Sequence, residues 1–88
     1  MLSFSLLFQI KRINPSTCVI ETLAGSGSAG MLDGDFTTAE FNEPGGLCIG
    51  QGGKKLYVAD TNNHTIRVLD LEEKIVSQVH TSESTRKK

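Results

Sequence analysis

The chain has no tryptophan, one tyrosine and four phenylalanines in 88 residues, a thin aromatic supply for a self-sufficient core. Its two cysteines, Cys18 and Cys48, stand far apart, with no Cys-x-x-Cys and no Cys/His cluster. That excludes a zinc finger, a thioredoxin-type motif and a disulfide scaffold, and two reduced thiols in a cytoplasmic chain are expected. Charge of one sign is also missing. Nine Lys and Arg against ten Asp and Glu leave no field that would draw the chain to nucleic acid or an anionic membrane. Long apolar runs are absent too. "MLSFSLLFQIKR" is too short to span a bilayer, lacks a leading basic residue and meets no small-residue cleavage site, so no secretory signal is expected.

Glycine is what the chain has in quantity, with nine residues, all between Gly25 and Gly53. Strand-like runs rich in β-branched residues surround them: Cys18 to Leu23, Gly46 to Gly50, Leu56 to Ala59, Thr65 to Leu69 and Lys74 to Val79. Between the last four runs lie short polar turns, "QGGKK", "DTNNH" and "DLEEK", whose Gly, Asn and Asp residues suit reversals. The pattern is all-β, an antiparallel meander of four strands. A shift of 56 residues places Ile10 on Ile66, Lys11 on Arg67 and Ile13 on Leu69, then Val19 on Ile75, Ile20 on Val76 and Leu23 on Val79. Both copies are two strand runs around a turn. The chain therefore holds the last two strands of one unit and all four of the next.

"VIETLAGSGSAGMLDGD" contains G-x-G-x-x-G at Gly25, Gly27 and Gly30. A dinucleotide-binding turn needs an amphipathic helix directly afterwards and an acidic residue about 20 positions on. Here Gly34 and Pro44 interrupt the following segment, and Met31, Leu32, Phe36 and Phe41 share no single helical face. A loop between two repeat units is the expectation.

"TLAGSG" (22–27), "FNEPGGL" (41–47) and "LYVADTNNHTIRVLDL" (56–71) together resemble the NHL repeat. The resemblance implies a β-propeller, in which each repeat is one four-stranded blade and typically six blades close a ring. Its motif residues are Asn42, Pro44, Gly46, Asp60, Asn63 and His64; Thr65 stands where the family's name has leucine. The expected layout is a non-family segment at 1–9, an NHL region at 10–79 and a disordered polar tail at 80–88. Within the NHL region, a partial blade (10–23) leads through an inter-blade loop (24–44) to a full blade (45–79).

Structural roles are expected throughout. Asp60 should accept backbone N–H groups at Asn62 or Asn63. Asn42 and Pro44 should set the register at the entry to the innermost strand, where proline needs no ladder partner. His64 has only His80 for company, too few ligands for a metal. Asp33, Asp35, Glu40 and Glu43 lack the glycine and terminal glutamate of a calcium loop and are expected to be solvated. Lys54-Lys55 and Arg86-Lys87-Lys88 form a pair and a tail, not a basic face.

The functional expectation is a non-enzymatic scaffold with no catalytic residue, cofactor or metal, which binds protein partners or neighbouring blades. Membrane binding is not expected, and RNA binding is the weaker option. The alternative is part of a propeller enzyme or metal site that takes ligands from other blades. Apolar residues on both sheet faces (Leu56 and Val58 against Tyr57 and Ala59) imply that an isolated blade keeps one face wet, favouring self-association.

Overall fold

A computed structural model describes residues 2–79, and the expected tail at 80–88 lies outside them. The described chain forms two antiparallel sheets with no α-helix. The first has three strands: β1 (Leu2–Leu6), β2 (Gln9–Asn14) and β3 (Val19–Ala24). The second, the blade, comprises β4 (Gly34–Asp35), β5 (Pro44–Ile49), β6 (Lys55–Asp60), β7 (Thr65–Asp70) and β8 (Ile75–Gln78) in the order β4-β8-β7-β6-β5. The expected meander is β5 to β8, and the expected strands of the preceding unit are β2 and β3. β1 comes from the stretch that shows no family pattern. It pairs with β2 at five positions, from Leu2 with Ile13 to Leu6 with Gln9.

The internal repeat survives into backbone geometry. Asn14 pairs with Val19 and Ile13 with Ile20; Asp70 pairs with Ile75 and Leu69 with Val76, each 56 positions on. Both turns close with a left-handed residue at φ 62°, Cys18 in one and Lys74 in the other. Each donates its N–H four residues back, Cys18 to the Asn14 carbonyl (2.7 Å) and Lys74 to the Asp70 carbonyl (2.8 Å). The side chains at the head of each turn also match. The Ser16 N–H donates to Asn14 Oδ1 and the Glu72 N–H to Asp70 Oδ1.

Period-two alternation turns Leu56, Val58 and Asp60 of β6 inward, together with Arg67 and Leu69 of β7 and Val76 of β8. Ile10 and Ala24 from the first sheet meet them, joined by Phe36, Ala39 and Phe41 from the connecting loop. Burying each large aliphatic side chain contributes about 1.5–3 kcal/mol. The loop's acidic residues Asp33, Asp35 and Glu43 are exposed as expected, but its apolar residues make it more than a solvated connector. Ala39 and Phe41 are fully buried, because the loop fills the space between the sheets and β4 pairs with the outer strand β8.

The glycines of the G-x-G-x-x-G stretch serve this loop. Gly25 sits at φ 109°, and a Cβ there would lie 2.9 Å from the Phe8 carbonyl oxygen. Its N–H donates to the Phe36 carbonyl, and the next N–H, of Ser26, to the Ala39 carbonyl. No α-helix follows among the described residues, so the anion-binding N-terminus that a dinucleotide turn requires is missing there.

Candidate functional site

Arg67 is the largest fully buried side chain among the described residues. Strand alternation places it on the inward face beside Leu69 and opposite Val58. All five of its guanidinium N–H donors have partners. Nη1 donates to Asp60 Oδ2 and to the Glu40 carbonyl, both at 2.7 Å. Nη2 donates to Asp33 Oδ1 (2.7 Å) and the Leu32 carbonyl (3.0 Å), and Nε to Asp33 Oδ1 (3.2 Å). The Phe41 ring lies 4.8 Å from the guanidinium carbon, adding a cation–π contact.

Asp60, also fully buried, completes the cluster. Its Oδ1 accepts the Asn42 backbone N–H at 2.8 Å, and its Oδ2 accepts Asn63 Nδ2 at 2.8 Å as well as Arg67. Asn63 Nδ2 donates in addition to the Gly30 carbonyl. The cap expected from Asp60 to the backbone N–H of Asn62 or Asn63 is not formed. The carboxylate turns inward because a buried guanidinium needs a charged partner more than an exposed turn needs a cap. Arg67 was the residue that motif spacing missed. Its signal was alternation, since "TIRVL" places Arg67 on the same face as Leu69.

The other motif residues separate by role. Asn42 bridges to the β6–β7 turn, its carbonyl accepting the Asn62 N–H. Pro44 pairs with Asp60, but the next pair is Leu47 with Val58, so a bulge follows the proline directly. Gly46 has no positive φ, and a Cβ there would meet nothing within 4 Å. His64 is exposed, adopts a left-handed φ of 53° and donates its backbone N–H to the Thr61 carbonyl. His80 lies outside the described residues. No group of three His, Cys, Asp or Glu side chains converges among the described residues.

Two further carboxylates, Asp35 and Asp70, serve turns. Asp35 Oδ1 accepts the Thr37 and Thr38 hydroxyls and the Thr38 N–H. The Thr38 and Thr37 hydroxyls hold this carboxyl below the usual carboxylate range. Asp70 is lowered as well, first by the Glu73 backbone N–H and then by the Lys55 ammonium. Lys55 pairs with Asp70 and Lys54 with Glu72, so this lysine pair forms no basic patch. Arg86, Lys87 and Lys88 lie outside the described residues.

The outward face of the blade is different in kind. Cys48, Tyr57, Ala59 and Ile66, together with Gly46, Leu47 and Val58, line an open depression of about 280 Å³ that is almost wholly apolar. Substrate pockets combine such a lining with convergent polar groups. Here the polar groups converge on the opposite, buried face and are consumed by one another. No helix among the described residues is long and apolar enough to cross a membrane.

Comparison with known proteins agrees with this geometry. The NHL repeat family model matches residues 41–69, the span from Phe41 through the blade's Asp60–Arg67 pair. NHL repeat-containing protein 2 from Bos taurus is 60% identical over 70 residues, covering 78% of this chain and 10% of the relative. Its Homo sapiens counterpart is 56% identical over the same length, with the same coverage. Protein SUPPRESSOR OF QUENCHING 1, chloroplastic, from Arabidopsis thaliana is 45% identical over 75 residues, 85% of this chain and 7% of that protein. The chain thus spans about a tenth of the length of the curated relatives it matches. With its motif residues gathered on the blade and the loop that enters it, the chain belongs to the NHL-repeat family of β-propeller proteins.

Proposed function

We propose that this chain is a non-enzymatic propeller segment that works by docking protein surfaces on its sheet faces, in the cytoplasm. NHL repeats in general mediate protein–protein interaction. One observation carries the proposal for this chain: the polar cluster of Asp33, Asp60, Asn63 and Arg67 is internally satisfied, while the outward blade face is apolar and open. Asp60 and Arg67, the two buried charges, already hold partners on each other and on their neighbours and leave no unpaired buried donor or acceptor for a ligand. The open face offers only contact area.

The test is complementation. An intact NHL repeat-containing relative is prepared without the segment that matches this chain, and fluorescently labelled chain is titrated into it. Saturable one-to-one binding is expected, together with substoichiometric zinc, manganese and calcium on the purified chain after dialysis against each metal. Stoichiometric metal, or no binding to the gapped propeller, would overturn the proposal.

A further inference from the structure

Strand β1 reads Leu-Ser-Phe-Ser-Leu, and its apolar side faces the wrong way for the core of this chain. Ser5 Oγ donates to the Gly45 carbonyl of the blade (3.1 Å), so the serines face the blade. Phe4 and Leu6 then point away from it, since successive side chains alternate, while Leu2 at the start of the strand also lines a groove with Leu47, Cys48, Ile49 and Leu56 of the blade. On that outer face, pairing aligns Leu2 with Ile13 and Ile13 with Ile20 into one cross-strand row. The same pairing in the blade aligns Leu56, Leu69 and Val76. Ile13 and Ile20 stand 56 positions before Leu69 and Val76. The blade row is 4%, 0% and 1% exposed, whereas Leu2 is 64% and Ile20 57% exposed.

The opposite faces show the converse. Ile10, on the face of the first sheet that meets the blade, is fully buried. Ile66, 56 positions later on the outward face of the blade, is 41% exposed beside Tyr57 and the open depression. Each unit therefore has two faces of opposite role. One pair of faces is joined inside the chain through Ile10 and Leu69, and the other pair, equivalent in register, is left largely uncovered by the described residues.

We infer that a second copy of this chain covers them. Copies stack head to tail, with the outward blade face of one (Tyr57, Ile66 and the depression) seated on the Leu2–Ile13–Ile20 row of the next. The repeat supplies the reason for this occupant: a second copy presents the register-equivalent of the contact the fold already makes. The contact is heterologous, so it propagates until a ring closes or a filament forms. Three short strands offer a small face, below the roughly 800 Å² per partner of a standard interface, so association is weak and concentration-dependent. This inference deepens the docking function proposed above by naming a partner.

Sedimentation velocity of the full chain over a range of about 5 to 500 μM brackets the weak association expected of so small an interface. The mean mass is expected to rise with concentration. Ile20→Lys removes the receiving face and Ile66→Lys the inserting face, so each variant alone is expected to remain monomeric. An equimolar mixture keeps one good face from each and is expected to stop at the dimer. Circular dichroism checks that both variants fold, and Ile20→Thr with Ile66→Thr is the milder pair if they do not. A wild-type chain that stays monomeric throughout would overturn the inference, as would single variants that associate like wild type or a mixture that stays monomeric. A monomeric chain that still binds the gapped propeller would overturn this inference alone and leave the docking function standing.

Discussion

The first sheet and the blade share a hairpin down to its turn: the same pairing register, the same left-handed φ of 62° at Cys18 and Lys74, and the same side-chain oxygen capping the reversal. Their burial differs sharply. Ile13 and Leu69 are equivalent, yet Leu69 is sealed and Ile13 only half-buried. Lys11 and Arg67 are equivalent too. Lys11 Nζ donates to the Thr22 hydroxyl at an exposed site, whereas Arg67 is enclosed by two carboxylates, two carbonyls and an aromatic ring. Local hairpin chemistry is thus indifferent to context. What a neighbouring layer adds is the seal, and with it the chance to use a buried charge.

The sharpest way to break this comparison is at its charged pair. Arg67→Met leaves Asp60 buried without a cation and is expected to cost about 3–5 kcal/mol, a large share of the roughly 5–15 kcal/mol total of a small domain. Lys11→Met, at the equivalent position in the first sheet, is expected to change stability by less than about 0.5 kcal/mol. Urea unfolding at a fixed chain concentration measures both. Comparable losses at the two sites would show that the two sheets are equally sealed in solution.

The aliphatic pair tests the same contrast with a smaller effect. Leu69→Ala creates a cavity in the shared core and is expected to cost about 2–5 kcal/mol. Ile13→Ala, on the half-covered row, is expected to cost about 1 kcal/mol. If head-to-tail stacking covers that row, the Ile13→Ala loss should grow as chain concentration rises.

The turn carboxylate sharpens the comparison through pH. Asp70 has a folded pKa below its ordinary 3.8, so its contribution is complete above that value and is lost as pH falls through the lowered one. Asp70→Asn makes this turn resemble that of Asn14. Its urea midpoint is expected to fall below wild type at pH 6 and to converge with it in the acid range below the usual carboxylate value. Asn14→Asp should introduce a smaller dependence of the same sign in the first sheet, where the Ser16 N–H is the donor. A midpoint difference that does not change with pH would remove the charge from the account.

The smallest effect is expected at the strained turn residues. Lys74→Gly and Cys18→Gly each relieve a left-handed residue, and each is expected to gain about 0.5–1 kcal/mol or less, since glycine also costs chain entropy. Matched gains would extend the equivalence of the two hairpins to their energies.

Much of this architecture was legible in the residues. The 56-residue offset located both hairpins because turn chemistry and strand alternation are local properties, and "LYVAD" with "TIRVL" shows its inward face directly. The cluster was not legible from motif spacing. Asp60 reads as a turn cap and Asp33, exposed as expected, gives no sign of its ion pair, since nothing local states that a guanidinium 7 residues from one and 34 from the other lies between them. Phe36, Ala39 and Phe41 looked like irregular loop for the same reason: their apolar side chains follow no period, and only the gap between two sheets gives them a place.

The sequence by itself determined the strands, the reversals, the repeat and its register, because these depend on β-branched alternation and on which residues tolerate positive φ. Only the tertiary structure decided which of two equivalent faces is dry, which carboxylate turns inward, and that the glycine-rich stretch packs against Phe8 and Gln9 instead of cradling a phosphate. Burial is a property of what lies opposite, and the chain meets its opposite layer only when folded.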